Sequence, residues 1–175
     1  MKSIRGLLSA SLLLASSCTL LAAESMDSLA GVGNFHQVDP GIYRGAQPSD
    51  EGLRNLAQLG VKTIIDLRHG KERGNEQKTA EEFGLHYVNV PMEGLTPPTD
   101  EQIASLLALF DGAADKGPVF VHCREGKDRT GAVVATYRIA RDHWTNEKAL
   151  AEAKSFGMSP LQKPRQNYIL KFPAS

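Results

Sequence analysis

The segment from Pro118 to Arg141 opens with an apolar strand, Pro118-Val-Phe-Val-His122. It passes through a polar run with two glycines, residues 123–131, and enters an apolar helical stretch from Ala132 onward. A strand without polar alternation has to be covered on both faces, as strands of parallel sheets are. A helix apolar nearly all round has to lie inside the molecule. The chain therefore needs a layered α/β architecture in which this strand is buried and this helix is central.

The flanking sequence repeats the alternation. Ile42-Tyr43-Arg44, after Pro40-Gly41, reads as a short strand or sheet edge. Ser49 or Asp50 caps a helix that carries Leu53, Leu56 and Ala57 and is closed by Gly60. Val61 to Leu67 is a buried strand, Glu76 to Phe83 a helix ending at Gly84, and Leu85 to Val90 another strand. Pro91 to Pro98 is a loop. Thr99 or Asp100 then caps a helix with Ile103, Leu106, Leu107 and Phe110 in one stripe. Asn146 caps a further helix through Phe156, stopped by Gly157, and a short helix is expected around Gln166 to Leu170. The resulting fold class is a single α/β domain, with a mainly parallel central sheet flanked by helices.

With 175 residues the chain holds one such domain. Lys2 and Arg5, the apolar and small residues from Leu7 to Leu21, and Leu21-Ala22-Ala23 before Glu24 read as an export signal, residues 1–23. Residues 24–34 follow as a flexible leader and residues 35–175 as the domain. An exported chain is expected to be periplasmic or secreted. The apolar run is short and broken by Ser9, Ser11, Ser16, Ser17 and Thr19, so no stable membrane span is expected. Lipoprotein processing at Cys18 is an alternative with a poor box before it. The 20 basic and 20 acidic residues cancel, which leaves no overall basic signal for nucleic acid. Without residues 1–23, Cys123 is the one cysteine of the chain, and small exported domains ordinarily use cysteines in pairs. An unpaired one fits a working thiol, which in an oxidising compartment is open to reversible oxidation.

Cys123 stands where a strand hands over to a helix. Backbone N–H groups and the positive helix end there favour an anion. The same field favours a thiolate, lowering such thiols from ~8.5 to ~3.5–7.5. Arg129, six positions on, can fold back and offer its planar fork to phosphate oxygens. Gly126 lets the loop curl, and Gly131 allows tight packing of the helix start. Thr130 has its hydroxyl within reach of the thiol, and His122 is expected to orient the loop. Arg124, Glu125, Gly126, Lys127, Thr130 and Gly131 make up the rest of the candidate phosphate cradle.

The run His122-Cys-Arg-Glu-Gly-Lys-Asp-Arg-Thr-Gly131 resembles the signature loop of the protein tyrosine phosphatase superfamily, in its small bacterial dual-specificity branch. Ile42-Tyr-Arg-Gly-Ala-Gln-Pro48, Gly60-Val-Lys-Thr-Ile-Ile-Asp-Leu-Arg68 and Val90-Pro-Met-Glu93 extend the likeness over about residues 35–160. The resemblance implies a cysteine phosphatase-like fold and hydrolysis of phosphate monoesters through a phosphocysteine. It also implies no cofactor or metal. The partner is then a phosphorylated protein or a small phosphate ester.

Such a reaction needs an acid to protonate the leaving oxygen. In this branch the acid is an Asp about thirty residues before the cysteine, and the corresponding loop, Pro91 to Asp100, has none at its middle. The candidates are Asp128, ranked first, and Glu93. Asp100 reads better as a helix-start residue. Arg68 either faces the substrate or forms a surface ion pair with Asp66 or Glu72, His69, Lys71 and Arg73 are expected in solvent, and Trp144 and Tyr137 in the core. The rival functions are an inositol phosphate or phosphoinositide phosphatase, a rhodanese-like sulfurtransferase, and a non-catalytic phosphoprotein-binding module.

Overall fold

The computed structural model describes residues 27–70 and 74–173. Five strands, β1 (His36–Asp39), β2 (Ile42–Gly45), β3 (Thr63–Asp66), β4 (His86–Asn89) and β5 (Val119–His122), form one sheet in the order β1-β2-β5-β3-β4. β1 and β2 are an antiparallel pair across the Pro40-Gly41 turn, and every other pairing is parallel. The apolar strand β5 is thus the central one, hydrogen-bonded on both sides, and all four of its residues are buried. β1 escapes a reading of periodicity because its four residues show no apolar alternation, only Val38 being buried.

The two-residue period of β5 decides which side chains meet. Val119, Val121 and Cys123 join one face with Ile65, Leu67, Met92, Leu106, Phe110 and Val134. Phe120 joins the other, with Ile64, Tyr87, Leu53 and Leu56. His122 has the parity of Phe120, and its ring stacks on that phenyl group with centroids 5.6 Å apart. Cys123 and His122 therefore leave the strand on opposite sides of the sheet.

Among the described residues seven helices cover the sheet: α1 (Asp50–Gln58), α2 (Glu76–Glu82), α3 (Asp100–Asp111), the single turn α4 (Ala113–Lys116), α5 (Asp128–Ala140), α6 (Asn146–Ser155) and α7 (Lys163–Lys171). Ser49 Oγ accepts from Gly52 N at the start of α1, and Thr99 and Gln102 form a reciprocal capping box at α3. α5 is buried from Thr130 to Tyr137, as an all-round apolar helix requires. It begins at Asp128, four residues before the apolar stretch, so the second half of the signature run is already helical. At α6 the cap is Thr145, whose hydroxyl accepts from Lys148 N at 3.2 Å. Asn146, the expected cap, instead donates to the Ile169 and Phe172 carbonyls at 2.8 Å each and pins the end of α7. α7 itself is nine residues long, with Pro164 in its first turn.

Structure also reaches back before residue 35. Val32 is buried, Ala46 N donates to Gly33 O at 2.6 Å, and Ser49 N donates to Gly31 O at 2.9 Å. Residues 27–34 of the expected leader thus lie against the domain, while the export signal of residues 1–23 falls outside the described residues. Trp144 is half-buried between Arg138 and Lys148, whose charges lie 4.6 and 3.6 Å from its ring centroid. It is a surface cation–π platform, not the core residue expected. Tyr137 does lie in the core, edge-on to Phe110.

Candidate active site

In a parallel sheet the carboxyl ends of the strands open onto one edge. There β5 runs into the signature loop, β2 into Ala46-Gln47, β3 into Leu67-Arg68, and β4 into the Pro91–Pro98 loop. The loop carbonyls are turned outward one after another. His122 Nδ1 lies 3.2 Å from Cys123 O. Gln47 N donates to Arg124 O at 3.2 Å, and Gly131 N to Lys127 O at 2.8 Å. Gly126 O accepts from both Arg44 Nη2 at 2.7 Å and Asn34 Nδ2 at 3.0 Å. With the Arg124 and Gly126 carbonyls committed outward, the loop can offer N–H groups to an anion, as a phosphate nest does.

Gly126 has φ +69°, and a Cβ there would lie 2.4 Å from the Gly45 carbonyl carbon. Both the turn and the close approach to β2 exclude a side chain. Gly131 is tight in a milder way, since a Cβ would meet Met158 and Ala153 of the α6 side at 3.2 and 3.4 Å.

Cys123 is a free cysteine, 3% exposed. Burial by itself pushes its thiol up, but the Thr130 hydroxyl and N–H, the Arg129 charge and the Glu125 N–H outweigh it and hold the thiol below its ordinary range. The Thr130 hydroxyl is buried and makes no hydrogen bond of standard geometry, so the neighbouring sulfur is its available acceptor. Arg129 is half-buried and Nη1 reaches Met92 O at 3.5 Å. Arg124 and Glu125 are exposed, and Lys127 Nζ pairs with Glu125 Oε2 at 3.0 Å.

Behind the loop, on the α2 face of the sheet, lies a buried charged group. Arg68 binds Asp66 through Nε and Nη2, each at 2.9 Å, and donates to Glu76 Oε2 from Nη2 at 2.6 Å. Tyr87 donates its hydroxyl to Asp66. His122 Nε2 lies 2.8 Å from Glu76 Oε1, a close ionic contact whose angle departs from that of a linear hydrogen bond. Burial disfavours the imidazolium, but Glu76 and Asp66 overcome this and raise His122 above its ordinary value. Arg68 is thus fully buried, and neither the substrate-facing nor the surface placement expected from the sequence applies. Asp66, Glu76 and His122 have ligand atoms within 4.8 Å of one another, the geometry of a metal trio. The Arg68 guanidinium between the carboxylates already supplies the charge a cation would bring.

The two acid candidates occupy different settings. Asp128 Oδ1 accepts from Ser159 N at 2.8 Å, tying the start of α5 to the α6–α7 connection. Glu93 lies on the exposed loop, 70% of its side chain in solvent and Oε1 3.4 Å from His69 Nε2. This loop lines a groove of about 450 Å³ with His69, Pro91, Thr96, Pro97, Thr99 and Gln102. Asp100 accepts from the Tyr168 hydroxyl at 2.9 Å in the first turn of α3, a structural role. Lys71, Glu72 and Arg73 lie outside the described residues.

Sequence reasoning missed Arg44, Asn34, Gln47, Glu76 and Arg165 at this site. Arg44 and Arg165 each carry a guanidinium into full burial, which only tertiary contacts reveal. Burial holds Arg44 down at about 10 in spite of Glu152 and Cys123.

A family described as DSP-PTPase phosphatase fused to NAD+ kinase matches residues 28–168. The chain belongs to this family. It is 29% identical over 130 residues to the dual specificity protein phosphatase TpbA of Pseudomonas aeruginosa, covering 71% of this chain and 55% of the relative. It is 32% identical over 152 residues to inositol diphosphatase DSP3 of Arabidopsis thaliana, covering 83% of this chain and 73% of that protein. A crystal structure of P. aeruginosa TpbA in complex with pTyr superposes with TM-score 0.69 at 25% identity, covering 79% of this chain and 83% of the other. The chain spans about half the length of the first of these curated relatives. The family agrees with the small cysteine-based, dual-specificity branch that the signature run resembles, and the α/β architecture is that of these phosphatases.

Proposed function

We propose that the protein hydrolyses phosphate monoesters through a phosphocysteine. The observation that carries the reading is the outward anchoring of the loop carbonyls around a buried thiol held low by Thr130 and Arg129. Phosphate enters the nest and is gripped by Arg129. Cys123 Sγ attacks phosphorus, the Sγ–P bond forms and the P–O bond to the leaving group breaks. A carboxylic acid gives its proton to the departing oxygen. Water then attacks the phosphocysteine, the sulfur departs as thiolate toward Thr130, and inorganic phosphate is released.

Glu93 is the better donor. Asp128 spends one carboxylate oxygen on the Ser159 N–H at the start of a helix, where it serves as a structural tether. Glu93 stands on the loop that Arg129 touches at Met92. As substrate we propose phosphotyrosine, phosphoserine and phosphothreonine in proteins. Lys127 is balanced by Glu125, which favours a single phosphate over a cluster of them. The likeness to an inositol diphosphatase supports inositol phosphates as the second reading. Export to the periplasm or medium is proposed on the character of residues 1–23.

Cys123→Ser should abolish hydrolysis of an aryl phosphate, and vanadate should inhibit the parent enzyme. Residual turnover at the parent rate in Cys123→Ser would end the mechanism. Glu93→Gln should lose about a hundredfold on phosphoserine and far less on the aryl ester, with Asp128→Asn showing no such split. A panel of phosphotyrosine, phosphothreonine and inositol phosphates decides between the substrate readings.

A further inference from the structure

Arg165 lies outside the signature run, yet it is drawn into the site. Its side chain is fully buried. Nη1 donates to Gln162 Oε1, Nη2 donates to Glu93 O at 2.9 Å, and Nε is buried with no partner among the described residues. Both acceptors are neutral oxygens. Burial and then the like charge of Arg129 act against its cationic form, and Asp128 and Cys123 act for it. A guanidinium held dry without a hydrogen-bonded carboxylate is a costly way to fill space. Stability alone gives no reason for an arginine here.

Its connections do. Asp128 Oδ1 takes the Ser159 N–H, so the start of α5 holds the α6–α7 connection. From the first turns of α7, Arg165 reaches across to the Glu93 carbonyl. The chain of contacts Asp128–Ser159, then Arg165–Glu93, therefore joins the signature loop to the acid-bearing loop. The loop is also held at its start, where Met92 N donates to Leu67 O at 3.0 Å and Gln102 Nε2 to Pro91 O at 2.7 Å. At Glu93 itself, the carbonyl also accepts from Thr96 Oγ1 at 3.0 Å and the carboxylate lies 3.4 Å from His69 Nε2. Of the contacts at Glu93 among the described residues, only that of Arg165 comes from the α7 side. Arg129 also touches the loop, at Met92 O, but its fork is the one that substrate phosphate will engage. Arg165 is free of that competition.

We propose that Arg165 is a positioning residue for leaving-group protonation, fixing the Glu93 backbone beside the signature loop so that the Glu93 carboxyl meets the departing oxygen. The proposal rests on Glu93 as donor. It predicts a loss that depends on the leaving group, because an activated aryl oxide departs without the proton and a serine alkoxide does not.

The test compares the full chain with Arg165→Met, Arg165→Lys, Glu93→Gln and Arg165→Met/Glu93→Gln, on p-nitrophenyl phosphate and a phosphoserine peptide. Arg165→Met should lower kcat on the peptide about tenfold, leave the aryl ester within about twofold, and hold both KM values within about twofold. In the Glu93→Gln background it should add less than about twofold. Arg165→Lys, keeping the charge without the fork, should fall between. Thermal unfolding confirms that each variant is folded; if Arg165→Met is not, Arg165→Lys decides by the same ratio of the two esters. Equal losses on both esters, or full additivity in the double variant, overturn the proposal while leaving Glu93 as donor. Wild-type turnover of the peptide by Glu93→Gln overturns the donor assignment and the proposal with it.

Discussion

Thr130 and Cys123 show how much of the chemistry depends on single atoms. The thiol is dry, which by itself opposes ionisation, and the Thr130 hydroxyl is the largest of the contacts that reverse this. Thr130→Val removes that oxygen at nearly constant volume. The thiol should then ionise at a higher pH, because the contact that most favours its thiolate is gone. The pH dependence of iodoacetamide alkylation measures this directly, and an unshifted midpoint would remove Thr130 from the account. Cys123, Arg129 and Thr130 could be named from the sequence because their spacing on a strand–loop–helix run is itself the chemical signal. Arg165 could not, because an arginine in a polar stretch ordinarily lies in solvent, and Arg44 could not, because the Gly126 carbonyl that receives it lies 82 residues away.

At the scale of elements, β3, β5 and α2 act together through the Asp66, Arg68, Glu76 and His122 group. Two carboxylates and one guanidinium leave one negative charge, and imidazolium at His122 neutralises it. The folded state therefore binds that proton more tightly than the unfolded chain does. Its contribution is complete below the ordinary imidazole value and is lost as pH rises through the raised folded value. Stability measured by urea unfolding should decline as pH rises from the ordinary imidazole value through the raised one. Glu76→Gln should flatten the decline and cost about 3 kcal/mol at lower pH, by breaking a buried ionic contact. An undiminished slope in Glu76→Gln would assign the titration to another group. The sequence could place β3 and α2 individually. It could not bring Glu76 to His122, because that meeting depends on α2 packing on the face of the sheet that carries Phe120 and His122.

For the molecule as a whole, export is the property to test. Expressed in a bacterial host, the chain should reach the periplasm and begin at Glu24 by intact mass, whereas a cytoplasmic product retaining Met1 would sink the proposal. The alternating elements, the burial of β5 and α5 and the pairing of Cys123 with Arg129 in one run were all set by local pattern: apolar runs, caps, and residues a few positions apart. Such information survives in one dimension because the same few residues that carry the pattern also form the element. The antiparallel edge strand β1, the packing of Val32 and Asn34 on the domain, and the tether on Asp128 were decided only in three dimensions. Asp128 shows why. Its position beside Arg129 is visible in the signature run, but its partner, the Ser159 N–H, lies 31 residues away and meets it only because α6 folds back along α5. The strand–loop–helix run around Cys123 was thus written locally, while the partner that claims an Asp128 carboxylate oxygen depends on how distant backbone folds back.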